Sequence, residues 1–125
     1  MLKETKKTKI FYLVMTLVVA VVIFLFSNIS TPVGEKTGLN LATLYHLGVF
    51  FMFTFFLTLF LKLGRINMKI ILISFLVSLV YAISDEFHQL FVIGRFCSLK
   101  DVLVDLVGST SAILVIKTLD LYRKI

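Results

Sequence analysis

Residues 41–61 have the sequence LATLYHLGVFFMFTFFLTLFL, in which His46 is the one side chain able to carry a charge. A bilayer has a hydrocarbon core of ~30 Å, and about 20 predominantly apolar residues in an α-helix cross it. This stretch therefore predicts a membrane-spanning helix, and the neighbouring segments are best interpreted as parts of the same membrane-embedded fold.

The composition of the whole chain supports this interpretation. Its 125 residues are 59% hydrophobic and 16% charged, and the mean hydropathy is +1.04. A soluble domain is about half apolar and about a quarter charged, and so short a chain could not bury the excess in a water-soluble core. The composition excludes a secreted domain, a cytosolic enzyme and a nucleic-acid-binding module, despite a net charge of +6. The single cysteine, Cys97, excludes an intrachain disulfide and a cysteine-based metal site.

The segment before this helix is also apolar. Residues 10–26 carry no charge, and bulky residues rather than a small-residue cleavage site end the run, so a helix is favoured over a signal peptide. The residues from Ser27 to Pro32 then break the helix, and we expect a polar loop to about Asn40.

The two later apolar runs are short. Residues 70–84 and 106–116 cannot cross a bilayer without ionisable neighbours. Their helices must therefore extend over four carboxylates, namely Asp85, Glu86, Asp101 and Asp105. We predict an all-α membrane protein, a single four-helix domain over residues 1–125, with helices at about 10–27, 41–61, 69–91 and 99–118.

Lysine and arginine are distributed unevenly between the two sides of this bundle. One side holds ten of them: Lys3, Lys6, Lys7, Lys9, Lys62, Arg65, Lys69, Lys117, Arg123 and Lys124. The other side holds three: Lys36, Arg95 and Lys100. Cytoplasmic segments carry the excess of basic residues, so both termini are predicted to be cytoplasmic and the four carboxylates to lie toward the outer side.

Polar residues collect near that outer side. They are Asn28, His46, Ser84, Asp85, Glu86, His88, Gln89, Arg95, Ser98, Asp101 and Asp105. On the third helix, side chains spaced by three and four residues form a polar stripe that should face the bundle: Ser74, Ser78, Tyr81, Asp85 and His88. On the fourth helix, Asp101 and Asp105 share a face that Gly108 and Ala112 continue, which favours close helix packing.

Carboxylates inside a membrane are costly, by about 2.5–3.5 kcal/mol each on insertion scales. They need a basic neighbour, a bound divalent cation or a shared proton. Acid–base catalysis would use Asp85, Glu86, His88 and Asp105. Ligand binding would use Asn28, His46, Gln89, Arg95, Ser98 and Asp101, with the Arg95 guanidinium suited to an anion. A metal, if one binds, would be held by Asp85, His88, Asp101 and Asp105. The alternative is that these groups anchor the interface, cap helices and neutralise one another.

The sequence SDEFHQLF at 84–91, followed by Gly94-Arg95, Ser98, Asp101, Asp105 and Gly108, resembles the signature of the VanZ-like membrane protein family. His46 matches a further recurring position of that family. The family takes its name from a protein associated with low-level resistance of Gram-positive bacteria to the glycopeptide teicoplanin. The resemblance implies a multi-pass protein of the bacterial plasma membrane, and it implies no particular reaction.

The sequence is compatible with three functions. The first is an enzyme that modifies the head group of a lipid or lipid-linked cell-wall precursor in the outer leaflet. The second is a non-catalytic envelope protein that binds such a molecule or a protein partner, with a homo-oligomer as a further expectation. The third is a small proton-coupled transporter. The position of the polar residues argues against it, because they lie near the outer side and do not continue across the membrane.

Overall fold

The computed structural model describes residues 5–30, 41–62 and 64–122. These residues form four α-helices and no strand: α1 (Lys6–Ser27), α2 (Leu41–Leu61), α3 (Met68–Gln89) and α4 (Leu99–Tyr122). Each helix is long and apolar enough to cross a membrane, which confirms the predicted all-α fold of four spanning helices. The predicted polar loop up to Asn40 and the counted residues Lys3, Lys36, Arg123 and Lys124 lie outside the described part of the chain.

Several helix ends differ from the predicted positions, and side-chain caps set the starts of α1 and α3. α1 begins at Lys6 rather than at residue 10, since the Thr5 hydroxyl accepts a hydrogen bond from the Thr8 amide at 3.3 Å. Asn67 caps α3 in the same way, through the Ile70 amide at 3.0 Å. α3 ends two residues early, at Gln89, and α4 continues past residue 118 to Tyr122.

Helix α2 lies at the centre of the bundle. It packs against the other three helices, most extensively against α4, whereas α1 contacts mainly α2. The core consists of side chains buried between these helices: Ile23, Phe50, Phe53, Leu57, Ala82 and Val102. Large apolar side chains such as Leu17, Val80 and Leu103 are exposed on the outside. Such an apolar surface suits contact with lipid rather than with water.

Hydroxyl groups link the helices within the bundle. The hydroxyls of Thr54 on α2 and Ser78 on α3 are 2.7 Å apart, and both side chains are fully buried. The Tyr81 hydroxyl donates to the Ala20 carbonyl of α1 at 2.7 Å. The polar stripe of α3 therefore faces the other helices, as its spacing predicts.

Gly108 is where α4 approaches α2 most closely. A Cβ atom at this position would overlap the Leu47 carbonyl oxygen and lie 3.2 Å from the Phe51 amide nitrogen. The absence of a side chain at Gly108 thus lets the two backbones come together. Asp105 lies one turn away on α4, and the close approach brings it beside α2.

The two ends of the bundle differ in charge. We call the end where α1 and α3 finish and α2 and α4 start the acidic end, and the opposite end the basic end. At the basic end the Lys62 ammonium donates to Asp120 at 2.5 Å, and the second oxygen of Asp120 accepts from the Ile66 amide at 3.1 Å. Asp120 thereby ties the end of α4 to the α2–α3 connection.

Candidate functional site

Five acidic or histidine side chains of the described residues are buried at the acidic end. We call four of them the acidic cluster, namely His46 of α2, Asp85 and Glu86 of α3, and Asp105 of α4; the fifth is Asp101, at the start of α4. Glu86 is 1% exposed and Asp105 is fully buried. Four such groups out of contact with solvent in an apolar bundle need compensating partners.

His46 and Asp105 are direct partners across the α2–α4 contact. His46 Nδ1 lies 2.9 Å from one oxygen of Asp105. The second oxygen of Asp105 is buried without a hydrogen-bond partner among the described residues. The pair fixes the orientation of the imidazole and leaves its other nitrogen, Nε2, for a proton or a ligand.

Glu86 is held by the start of α4. One of its carboxylate oxygens accepts a hydrogen bond from the Ser98 amide at 2.7 Å. The hydroxyl of Ser98 in turn accepts from the Asp101 amide at 3.3 Å, which is the usual geometry of a helix N-cap. The second oxygen of Glu86 is buried and has no partner within the described part of the chain. The predicted binding residue Ser98 therefore positions Glu86 through its backbone.

Asp85 is oriented from its own helix. Its carboxylate accepts a hydrogen bond at 3.1 Å from the side-chain amide of Gln89, one turn further along α3. Gln89 is itself buried. Asp101 is also buried, at the first turn of α4, and its charge interacts with His46 and Glu86. Asp85, Gln89 and Asp101 thus lie buried at the acidic end, together with His46, Glu86 and Asp105.

Three other predicted site residues lie apart from the acidic cluster, at the end of α1. His88 Nε2 is 3.0 Å from the Asn28 side-chain oxygen, and its ring lies 4.9 Å from that of Phe24. Arg95 donates from Nε to the Ile29 carbonyl at 2.9 Å and from an Nη to the Phe26 carbonyl at 2.8 Å.

The backbone carbonyls at the end of α1 thus occupy two of the five N–H donors of Arg95. Gly94, at φ 81°, provides the left-handed turn that precedes Arg95. In the structure Arg95 caps the end of α1.

The residues that could bind a metal differ from the predicted set. His46, Asp85 and Glu86 each offer a ligand atom, and these three atoms lie within 4.8 Å of one another. The imidazole comes from His46 and not from His88, because the two histidines lie in different polar groups. Which histidine lies beside the carboxylates depends on how the helices pack, and residue spacing within one helix does not predict it.

Tyr45 is a site residue that sequence reasoning missed. Its ring lies 5.2 Å from that of Phe26 and 5.8 Å from that of His46. Its hydroxyl is buried and has no partner among the described residues. Two features of the sequence could have indicated it. Tyr45 directly precedes His46, and tyrosine is frequent near membrane interfaces.

Tyr45 also lines an open apolar groove between α1 and α2, which we call the α1–α2 groove. Its volume is about 370 Å³, and it is lined by Val19, Val22, Leu44, Tyr45, Gly48, Val49 and Met52. The groove lies on the surface of membrane-spanning helices, and Tyr45 is the residue between the groove and His46.

Comparison with known proteins assigns the chain to a family. The family model described as VanZ/LLP1 matches residues 7–120, which include the acidic cluster and nearly all of the four helices. Neither the curated proteins nor the solved structures contain a match. The family match agrees with the resemblance carried by residues 84–108. The chain therefore belongs to the VanZ/LLP1 family.

Proposed function

We propose that this chain is an integral protein of the bacterial cell envelope that binds a lipid or a lipid-linked cell-wall molecule. The head group lies at the acidic cluster, and the hydrocarbon tail lies in the α1–α2 groove. Because the basic end carries most of the lysine and arginine, we assign it to the cytoplasm, and the acidic end to the outer leaflet of the plasma membrane.

The observation that carries this proposal is that an apolar groove and a buried polar cluster lie next to each other. Tyr45 lines the groove, and its ring lies 5.8 Å from that of His46 in the cluster. An amphipathic ligand likewise has an apolar and a polar part. The membrane supplies hydrocarbon chains at the surface where the groove opens, so a lipid tail is its natural occupant.

The chemistry of the cluster favours head groups with hydrogen-bond donors. The second oxygen of Asp105 is a buried acceptor without a partner in the described residues, and the Tyr45 hydroxyl beside the cluster is likewise unpartnered. Buried polar atoms normally have partners, and a lost partner costs ~1–3 kcal/mol. Sugar hydroxyls or amines of a head group would satisfy these atoms. Arg95 caps α1 with two of its donors, and this arrangement assigns it no contact with the head group.

Acid–base chemistry on the bound head group is a second candidate function. The observation in its favour is the His46–Asp105 pair, because a carboxylate that orients an imidazole is a recurrent general-base arrangement. Binding and turnover are separable, since only an enzyme converts the bound molecule into a product.

The test is to purify the protein from its native membrane in mild detergent and to identify the retained lipids by mass spectrometry. We compare the wild type with Asp85→Asn combined with Asp105→Asn, which removes the charges of the head-group site. A Gly48→Leu variant tests the groove, because no atom lies within 4 Å of a Cβ at Gly48 and a side chain there can enter the groove without a clash at its base.

We expect the wild type to retain a discrete lipid or polyprenyl species that both variants lose. A product that accumulates from this species with the wild type alone would favour the enzyme. Identical, non-specific lipid in all three proteins would contradict the proposal.

A further inference from the structure

The three side chains His46, Asp85 and Glu86 share a pattern of support. Each is held through one polar atom by a neighbour from the same end of the bundle: His46 by Asp105, Asp85 by Gln89, and Glu86 by the Ser98 amide. The ligand atoms of the three residues nevertheless lie within 4.8 Å of one another. Side chains that bind metals are commonly fixed in this way, with one atom on the metal and another on an orienting hydrogen-bond partner.

Glu86 provides a second, independent observation. Its free oxygen is buried in a residue that is 1% exposed, and no group within the described residues reaches it. A carboxylate oxygen in that position lacks the partner that burial normally demands. A cation bound between the three side chains would provide one.

We propose that His46, Asp85 and Glu86 bind one divalent transition-metal cation, of the class of Zn²⁺ or Mn²⁺. One imidazole nitrogen and two carboxylate oxygens are a donor set that suits these ions. The two carboxylates carry a charge of −2, which the cation neutralises inside an apolar bundle. Since Asp105 holds Nδ1 of His46, Nε2 is the nitrogen that takes the cation.

The spacing requires a small closure of the site. Metal–ligand bonds of about 2.0–2.2 Å set two ligand atoms no more than about 4.4 Å apart. The three atoms lie at most 4.8 Å apart, so rotations of the carboxylates bring them within bonding distance. Three protein ligands leave at least one coordination position open, as in catalytic rather than structural zinc sites. An oxygen of a head group fits this open position.

The cation site goes beyond the lipid-binding proposal and is tested without lipid. Purified protein is stripped with a chelator in detergent and titrated with Zn²⁺ alone and with Mn²⁺ alone, and metal content is then measured by mass spectrometry. Co²⁺ serves as a spectroscopic probe, because its visible absorption reports on the number and geometry of its ligands. We expect one equivalent of at least one of these metals per chain.

The two histidines of the chain provide a matched control. His46→Gln and Glu86→Gln should weaken metal binding at least tenfold, whereas His88→Gln should leave it unchanged, because His88 contacts Asn28 at the end of α1. Asp105→Asn should weaken binding roughly 10–100-fold through loss of the orienting partner.

Thermal unfolding of each metal-free variant shows whether it is folded. If a variant does not fold, the metal content of the titrated wild type and its Co²⁺ spectrum decide whether the cation site exists. The absence of stoichiometric binding to the wild type would overturn the site, and so would binding that depends on His88 rather than on His46. Because lipid retention is measured separately, loss of one proposal leaves the other standing.

Discussion

The imidazole of His46 and the carboxylate of Asp105 lie 2.9 Å apart although 59 residues separate them in the chain. Both side chains are buried. Their contact crosses the α2–α4 interface one turn from the close approach at Gly108. The fully buried carboxylate of Asp105 on α4 thereby lies against the buried imidazole of His46 on α2, at the interface where the two helices pack most extensively.

The His46–Asp105 pair should be strongly coupled. Loss of one partner leaves the other buried and unpaired, so His46→Leu or Asp105→Leu alone should lower the free energy of unfolding by roughly 3 kcal/mol. The double variant, with apolar groups at both positions, should lose less than the sum of the single changes. Equilibrium unfolding in detergent measures this double-mutant cycle, and additive effects would show that the two side chains do not interact.

Substitution by alanine should change the stability of the bundle differently at two glycines, Gly108 and Gly48. Gly108→Ala places a methyl group on the Leu47 carbonyl of α2, and we expect it to destabilise the bundle by roughly 1–3 kcal/mol. Gly48→Ala meets no atom within 4 Å and should be tolerated or slightly stabilising, because alanine favours the helix. Thermal unfolding of the two variants side by side checks the prediction. Equal melting temperatures would mean that α2 and α4 are not in close contact at Gly108.

The Lys62–Asp120 interaction should stabilise the basic end alone. We expect Asp120→Asn to lower stability by about 1 kcal/mol, since it weakens the hydrogen bonds that Asp120 accepts from Lys62 and from the Ile66 amide. Hydrogen exchange of the Ile66 amide should become faster, because Asp120 accepts its hydrogen bond. Lipid and metal binding at the opposite end should be unchanged. An Ile66 amide that exchanges at the wild-type rate would argue against this contact.

Arg95 should act as a helix cap. Arg95→Gln removes the two hydrogen bonds to carbonyls at the end of α1, and hydrogen exchange in the last turn of α1 should become faster. Arg95→Lys should rescue this only in part, because an ammonium group lacks the fork of donors that reaches both carbonyls. Retention of the co-purified lipid should stay at the wild-type level. A loss of lipid with unchanged exchange in α1 would instead assign Arg95 to the ligand.

The fold could be predicted from sequence because hydropathy and helix length are enough to find membrane spans. The short apolar runs of α3 and α4 even required the carboxylates to lie within the helices, and Asp85, Glu86 and Asp105 are indeed buried there. Likewise, the spacing of Asp105 and Gly108 favoured close packing on that face of α4. Each of these predictions requires only the sequence of a single helix.

The partners of the polar residues could not be predicted in the same way. Spacings of three and four residues identify the polar face of a helix, but not the neighbouring helix that this face contacts. His46 therefore remained an isolated histidine until the packing of α2 on α4 placed it beside Asp105. In the same way, His88 belongs to the polar stripe by spacing, yet its ring turns toward Asn28 of α1. The left-handed turn at Gly94 precedes Arg95, whose guanidinium donates to carbonyls at the end of α1, and residue spacing does not predict a loop conformation of this kind.

The most direct test of the central claim is the affinity of the purified wild type for defined lipids, measured by native mass spectrometry. The probes are a glucosyl diacylglycerol and a diacylglycerol methyl ether with the same acyl chains, which lacks hydrogen-bond donors. We predict that the wild type binds the glycolipid at least tenfold more tightly, that Asp105→Asn removes this preference, that Gly48→Leu weakens both lipids, and that Asp120→Asn changes neither. Equal affinity of the wild type for the two lipids, unchanged in Asp105→Asn and Gly48→Leu, would contradict a head-group site at the acidic cluster.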